Sequence, residues 1–194
     1  FKLHCGSIGI FKPVNAMEIY NKFQPNSVLD FTMGWGGRLV GACALNVPNY
    51  IGIDSNLDLK KPYEQMVKTL NSLGTETKIK LYFKDALKVD YSKLHYDCVF
   101  TSPPYYNTEI YNHMDEKTDE EWDEEFYIPL FSNTFKFLKK NGFYILNIQK
   151  ELYESLCLDL FGKANYKIPL KGKRKPKNTK SPNDYNEYIY VWKK

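Results

Sequence analysis

The chain of 194 residues reads as an α/β domain built on a mostly parallel seven-stranded sheet with an antiparallel final strand. Three observations predict it. Short apolar runs alternate with amphipathic segments of helical length, the pattern of strand–helix–strand units. A glycine-rich stretch, Gly34-Trp35-Gly36-Gly37, directly follows the first apolar run. The last run, Glu187–Trp192, alternates polar and apolar residues as an antiparallel strand does.

Taken in order, helix is expected over Val14–Phe23 and strand over Val28–Phe31. Helix follows over Gly37–Leu45, strand over Tyr50–Asp54, helix over Pro62–Ser72 and strand over Ile79–Phe83. Tyr96–Thr101 and Gly142–Ile148 are the next two strands, and Tyr166–Leu170 pairs with the final one. The most strongly signalled helix is Asp119–Lys140. Thr118 and Glu121 form a capping box, acids crowd the first turn, lysines fill the last, and Asn141-Gly142 stops it. The acids from Asp115 to Glu125 are therefore read as a solvated helix start and not as a metal site.

Size and composition bound the function. A chain of 22.8 kDa with 43% hydrophobic and 26% charged residues fits one domain, residues 1–194, with a full core. No apolar run approaches the length of a membrane span. Cys5, Cys43, Cys98 and Cys157 are scattered without a CxxC pair, which argues against a zinc site or disulfide scaffold and predicts a reducing, intracellular compartment. His4, His95 and His113 share no ligand spacing, so no metal is expected. The net charge of +4 is mild but uneven: Lys171 to Lys180 holds six basic residues. Residues 171–184 are read as a flexible basic loop, whose Lys173, Arg174 and Lys175 either track a phosphate backbone or are simply solvated.

The stretch Asp30-Phe31-Thr32-Met33-Gly34-Trp35-Gly36 is a strand end running into a tight turn and a helix start. Glycines let the backbone turn sharply and approach a ligand, with the next helix N-terminus aimed at it. Asp54 closes the second strand, about where an acid meets ribose hydroxyls in nucleotide-binding folds. Asp85 follows the third strand, where a carboxylate could accept from an adenine amino group. Each acid alone could equally cap a helix.

The most specific segment is Asp97-Cys98-Val99-Phe100-Thr101-Ser102-Pro103-Pro104-Tyr105-Tyr106. Two prolines at the carboxyl end of a buried strand stop the ladder and stiffen the backbone. Thr101-Ser102-Pro103-Pro104-Tyr105 resembles the catalytic motif of the S-adenosylmethionine-dependent amino-methyltransferases acting on DNA, which carry Asp, Asn or Ser, then Pro-Pro and an aromatic residue. The Asp30–Gly36 turn resembles that family's cofactor motif, and Phe11-Lys12-Pro13 resembles the segment flanking the cofactor's methionine end. The resemblance covers about residues 10–150 and implies a class I, Rossmann-like methyltransferase fold.

It further implies a cofactor, S-adenosylmethionine, contacted by Phe11, Lys12, Asp30, Thr32, Gly34, Gly36, Asp54, Asp85 and Thr101. Ser102 and the Pro103 carbonyl would accept from the two N–H groups of a nucleobase amine, with Pro104 stiffening the loop. Tyr105 would stack on the extruded base, and Tyr106 would line the nucleic-acid path or else pack the long helix. DNA is the expected substrate, cytosine N4 or adenine N6. RNA, a glutamine amide, or a non-catalytic nucleic-acid-binding role are the alternatives. Target choice would fall to loops, a missing segment or a partner chain. Two departures stand out: Phe31-Thr32 replaces the family's Pro-Phe, and an additional Gly37 and Arg38 follow the matched glycines.

Overall fold

A computed structural model describes residues 10–106, 117–170 and 187–194. The basic loop, with Lys173, Arg174 and Lys175, lies outside the described residues. The strands are β1 (Ser27–Asp30), β2 (Asn49–Asp54), β3 (Lys78–Phe83), β4 (Cys98–Thr101), β5 (Phe143–Gln149), β6 (Tyr166–Pro169) and β7 (Glu187–Lys193). They form one sheet in the order β3-β2-β1-β4-β5-β7-β6. Neighbours from β3 to β5 are parallel, and β7 is antiparallel to both β5 and β6. The seven strands expected from the sequence are all present, within two residues at either end.

Alternation along the strands builds two cores. Val28, Tyr50, Cys98, Phe100 and Ile145 face one side with Ala16, Leu39 and Tyr63. These last three belong to helices α1 (Pro13–Phe23), α2 (Gly37–Ala44) and α3 (Lys60–Ser72). Leu29, Ile51, Val99, Leu146 and Ile148 face the other side with Tyr127, Phe131 and Leu156. A strand buried on both faces reads as a continuous apolar run, which is why these strands were legible.

The helix expected over 119–140 differs in two ways. It comprises α4 (Asp119–Trp122), a π-helical turn (Asp123–Tyr127) and α5 (Ile128–Phe137). Pro129 cannot donate a backbone hydrogen bond and would clash with the preceding turn, and the widened π turn relieves that. The helix also stops early: Leu138 turns extended and buries to 3% exposure. Lys194 Nζ then caps the carbonyls of Phe135, Lys136 and Leu138 at 2.6–2.9 Å. Both capping-box bonds between Thr118 and Glu121 form as expected. A helical segment with no counterpart among the expected elements follows β5: α6 (Lys150–Leu152), a π turn (Tyr153–Cys157) and α7 (Leu158–Phe161). Among the described residues no helix is long and apolar enough to cross a membrane.

Candidate active site

The carboxyl ends of β1 to β4 bring the sequence-predicted residues to one edge of the sheet, where open α/β folds bind ligands. The turn after β1 is fixed from several directions. Gly34, at φ +54°, donates its N–H to Asp54 Oδ2 at 2.9 Å. The Tyr63 hydroxyl donates to the Met33 and Gly34 carbonyls at 3.2 and 2.9 Å. Gly36 caps α2 at φ +81°, and a Cβ there would lie 2.8 Å from Met66 Sδ. At Gly37 a Cβ would overlap the Phe11 carbonyl oxygen, so the additional glycine lets the Phe11 segment lie against the start of α2.

Asp30 is wholly buried and holds this frame together. It accepts from Arg38 Nε and Nη2 at 2.7 and 3.1 Å, from the Tyr50 hydroxyl at 2.6 Å and from Thr101 Oγ1 at 2.8 Å. Arg38 Nη2 also donates to the Thr32 carbonyl at 2.6 Å. The position matched to a ligand-contacting acid thus has its oxygens engaged from within. A buried carboxylate needs such partners, and Arg38 supplies the compensating charge. Phe11 is half-buried, edge-on to Phe100 and under the Arg38 guanidinium at 5.4 Å, while Lys12 is exposed at the head of α1.

The two outer acids remain near solvent. Asp54 also accepts from the Asn56 N–H at 2.9 Å, and burial raises its carboxyl above the usual value against the pull of those N–H bonds. Asp85 caps the short turn Ala86–Lys88 through the Leu87 N–H at 3.0 Å and pairs with Lys88 at 3.5 Å. Its side chain is 41% exposed.

The Ser-Pro-Pro-Tyr loop leaves β4 directly beside the glycine turn. Thr32 Oγ1 lies 2.6 Å from Thr101 Oγ1 and donates to the Ser102 carbonyl at 3.0 Å. Tyr127 clamps the far side: its hydroxyl donates to the Pro104 carbonyl at 2.5 Å and accepts from the Tyr106 N–H at 3.1 Å. That clamp holds Tyr106 at φ +42°. Among the described residues no hydrogen bond reaches the Pro103 carbonyl, and Ser102 is partly exposed.

Tyr105 is 7% exposed, and its hydroxyl donates to the Asn147 main-chain carbonyl at 3.0 Å and accepts from Asn147 Nδ2 at 2.7 Å. A buried tyrosine hydroxyl needs a partner, and β5 supplies it. Tyr106 is half-buried and donates to Asp123 at 3.1 Å. Burial and then the Asp123 carboxylate push its phenol up to about 12. Sequence reasoning missed Tyr127 and Asn147. The former carries no local signal, while an asparagine inside the apolar run Phe143-Tyr144-Ile145-Leu146-Asn147-Ile148 was a visible anomaly. Among the described residues no group of three metal-ligating side chains occurs.

The sequence matches no protein-family model and no curated protein. Solved structures do match the fold. TrmN from Thermus thermophilus superposes at TM-score 0.65 with 15% identity, over 96% of this chain and 50% of that one. A S-adenosylmethionine-dependent methyltransferase from Clostridium acetobutylicum gives 0.53 and 13%, over 96% and 76%. An rRNA methylase from Streptococcus thermophilus gives 0.56 and 12%, over 96% and 98%. The chain thus spans about half the length of TrmN but nearly all of the rRNA methylase. With the strand order above, these likenesses give the chain the class I methyltransferase fold.

Proposed function

We propose that the chain transfers a methyl group from S-adenosylmethionine to an exocyclic amino nitrogen of a nucleobase, with DNA as first substrate. The observation that carries this reading is the bonding of Thr32 to Thr101 and Ser102, which joins the glycine turn to the Ser-Pro-Pro loop.

The residues present fit the cofactor. Gly34 and Gly36 line a turn without side chains, and Asp54 offers a half-buried carboxylate for ribose hydroxyls. Asp85 offers a more open carboxylate for an adenine amine. Phe11 borders the turn, and Lys12 is exposed beside it in sequence, at the head of α1. Asp30 and Thr101 act from beneath, by holding Thr32 and Arg38 in place. When bound, S-adenosylmethionine supplies an electrophilic methyl.

The chain's own work is positioning. An aromatic amine is a poor nucleophile because its lone pair is delocalised into the ring. Accepting its two N–H bonds at Ser102 Oγ and the Pro103 carbonyl draws the nitrogen toward tetrahedral geometry, and the amine proton leaves to solvent after transfer. Positioning of this kind supplies much of a barrier reduction. Tyr105 is held by Asn147 at the end of the loop, and Tyr106 packs against Tyr127 and Asp123 beside it. Lys173, Arg174 and Lys175 supply the phosphate contacts in this reading.

RNA is the second reading, favoured by the likeness to an rRNA methylase along 98% of that chain. Incubation with methyl-labelled S-adenosylmethionine and mixed-sequence DNA or RNA, followed by digestion, separates the two. Labelled N4-methylcytosine or N6-methyladenine from DNA is expected. Label in RNA alone moves the substrate, and no label in either overturns the reading.

A further inference from the structure

Asn147 is 2% exposed inside the apolar strand β5. β5 lies beside β4 with Leu146 opposite Thr101, so Asn147 stands next to Ser102. The two protons of its Nδ2 serve three acceptors, the Tyr105 hydroxyl at 2.7 Å, Ser102 Oγ at 3.2 Å and Glu187 Oε2 at 3.2 Å. The amide has one sensible orientation. The Glu187 carboxylate only accepts, and the Tyr105 proton is committed to the Asn147 carbonyl, so reversal would set Oδ1 against both. Oδ1 itself is buried and has no partner among the described residues. An unmade hydrogen bond in the core is costly, and an apolar residue of similar volume would avoid it. Core packing therefore does not account for an asparagine here.

We propose that Asn147 is a positioning residue for the transfer reaction, an inference that rests on the function proposed above. By donating to Ser102 Oγ it occupies one lone pair, and the hydroxyl proton, whose inward partner is the Tyr105 oxygen at a long 3.4 Å, is left to turn outward to a substrate. Ser102 then meets its target with a donor and an acceptor side by side. Cytosine and adenine match that pair, because each places an acceptor ring nitrogen beside the exocyclic amine. The target amine donates to the Ser102 oxygen while the neighbouring ring nitrogen accepts the Ser102 proton.

The test uses the full chain, S-adenosylmethionine and the polymer that the wild-type protein labels. Combining Asn147→Asp with Glu187→Gln keeps an amide–carboxylate pair but exchanges its ends, so that Ser102 donates inward to the new carboxylate. The expected result is an unchanged cofactor affinity and a melting temperature close to wild type, with kcat reduced about 100-fold, as for loss of one preorganised donor. Wild-type kcat in that variant overturns the inference. A second measurement needs no variant: the wild-type protein acts on a polymer carrying 3-deazacytosine or 1-deazaadenine, which lack the ring acceptor but keep the amine. At least a ten-fold slower transfer is expected, about 1.4 kcal/mol, and equal rates overturn the inference while leaving the methyltransferase reading standing. Failure of the wild-type protein to label either polymer overturns that reading and this inference together.

Discussion

Arg38 grips Asp30 through two N–H···O bonds of 2.7 and 3.1 Å, with both side chains almost fully shielded from water. The pair bridges the end of β1 to the first turn of α2, and the Thr32 carbonyl hangs from the same guanidinium. Arg38→Ala should therefore leave a buried carboxylate short of its charge partner. A loss of about 3–5 kcal/mol is expected for breaking one side of such a pair. Urea denaturation checks it; a loss below about 1 kcal/mol would show the pair to be dispensable.

Gly37→Ala tests the approach of the Phe11 segment. Its methyl would overlap the Phe11 carbonyl oxygen, so either the segment or the helix must shift. Destabilisation of about 1–3 kcal/mol is expected, together with weaker S-adenosylmethionine binding by calorimetry. Unchanged affinity would remove the Phe11 segment from the cofactor site.

Tyr127→Phe removes one hydroxyl that serves two loop groups, the Pro104 carbonyl and the Tyr106 N–H. Tyr106 then loses the acceptor for its N–H, and its left-handed backbone conformation is held by its ring packing and its bond to Asp123. Stability should fall by about 1–3 kcal/mol. Turnover should fall while cofactor affinity stays near wild type, and steady-state kinetics beside calorimetry separates the two effects.

Asp54 carries a pH signature. Burial holds its folded carboxyl above the ordinary value of 3.8, against the Asn56 and Gly34 N–H bonds. A raised carboxyl favours the protonated folded state. Its contribution to stability is fully present below the ordinary value and is lost as pH rises through the raised one. Ligand hydroxyls that donate to the carboxylate give the opposite slope for binding. S-adenosylmethionine affinity should weaken as pH falls through that raised value, and Asp54→Asn should be weaker at neutral pH and flat in that range. A parallel slope in both proteins would place the titrating group elsewhere.

Ser102→Ala should keep cofactor affinity and lose about 100-fold in kcat, as expected for one preorganised polar contact. Single-turnover labelling measures this directly, and near-normal turnover would move the reacting centre away from the loop.

Short-range patterns carried most of the architecture. The strand runs, the Thr118–Glu121 cap, the glycine turn and the proline stop after β4 depend on period and local backbone chemistry, and each is written within a few residues. The helix break at Asp123–Tyr127 was legible in Pro129 but easily passed over inside a long amphipathic pattern. Tertiary structure decided which polar groups are spoken for. Asp30 reaches Thr101 across 71 positions and Tyr105 reaches Asn147 across 42, distances at which spacing along the chain says nothing about partners. A motif match placed Asp30 and Tyr105 at a ligand. Burial gave the oxygens of both to the protein, because a polar group taken out of water must bond to whatever the fold sets beside it.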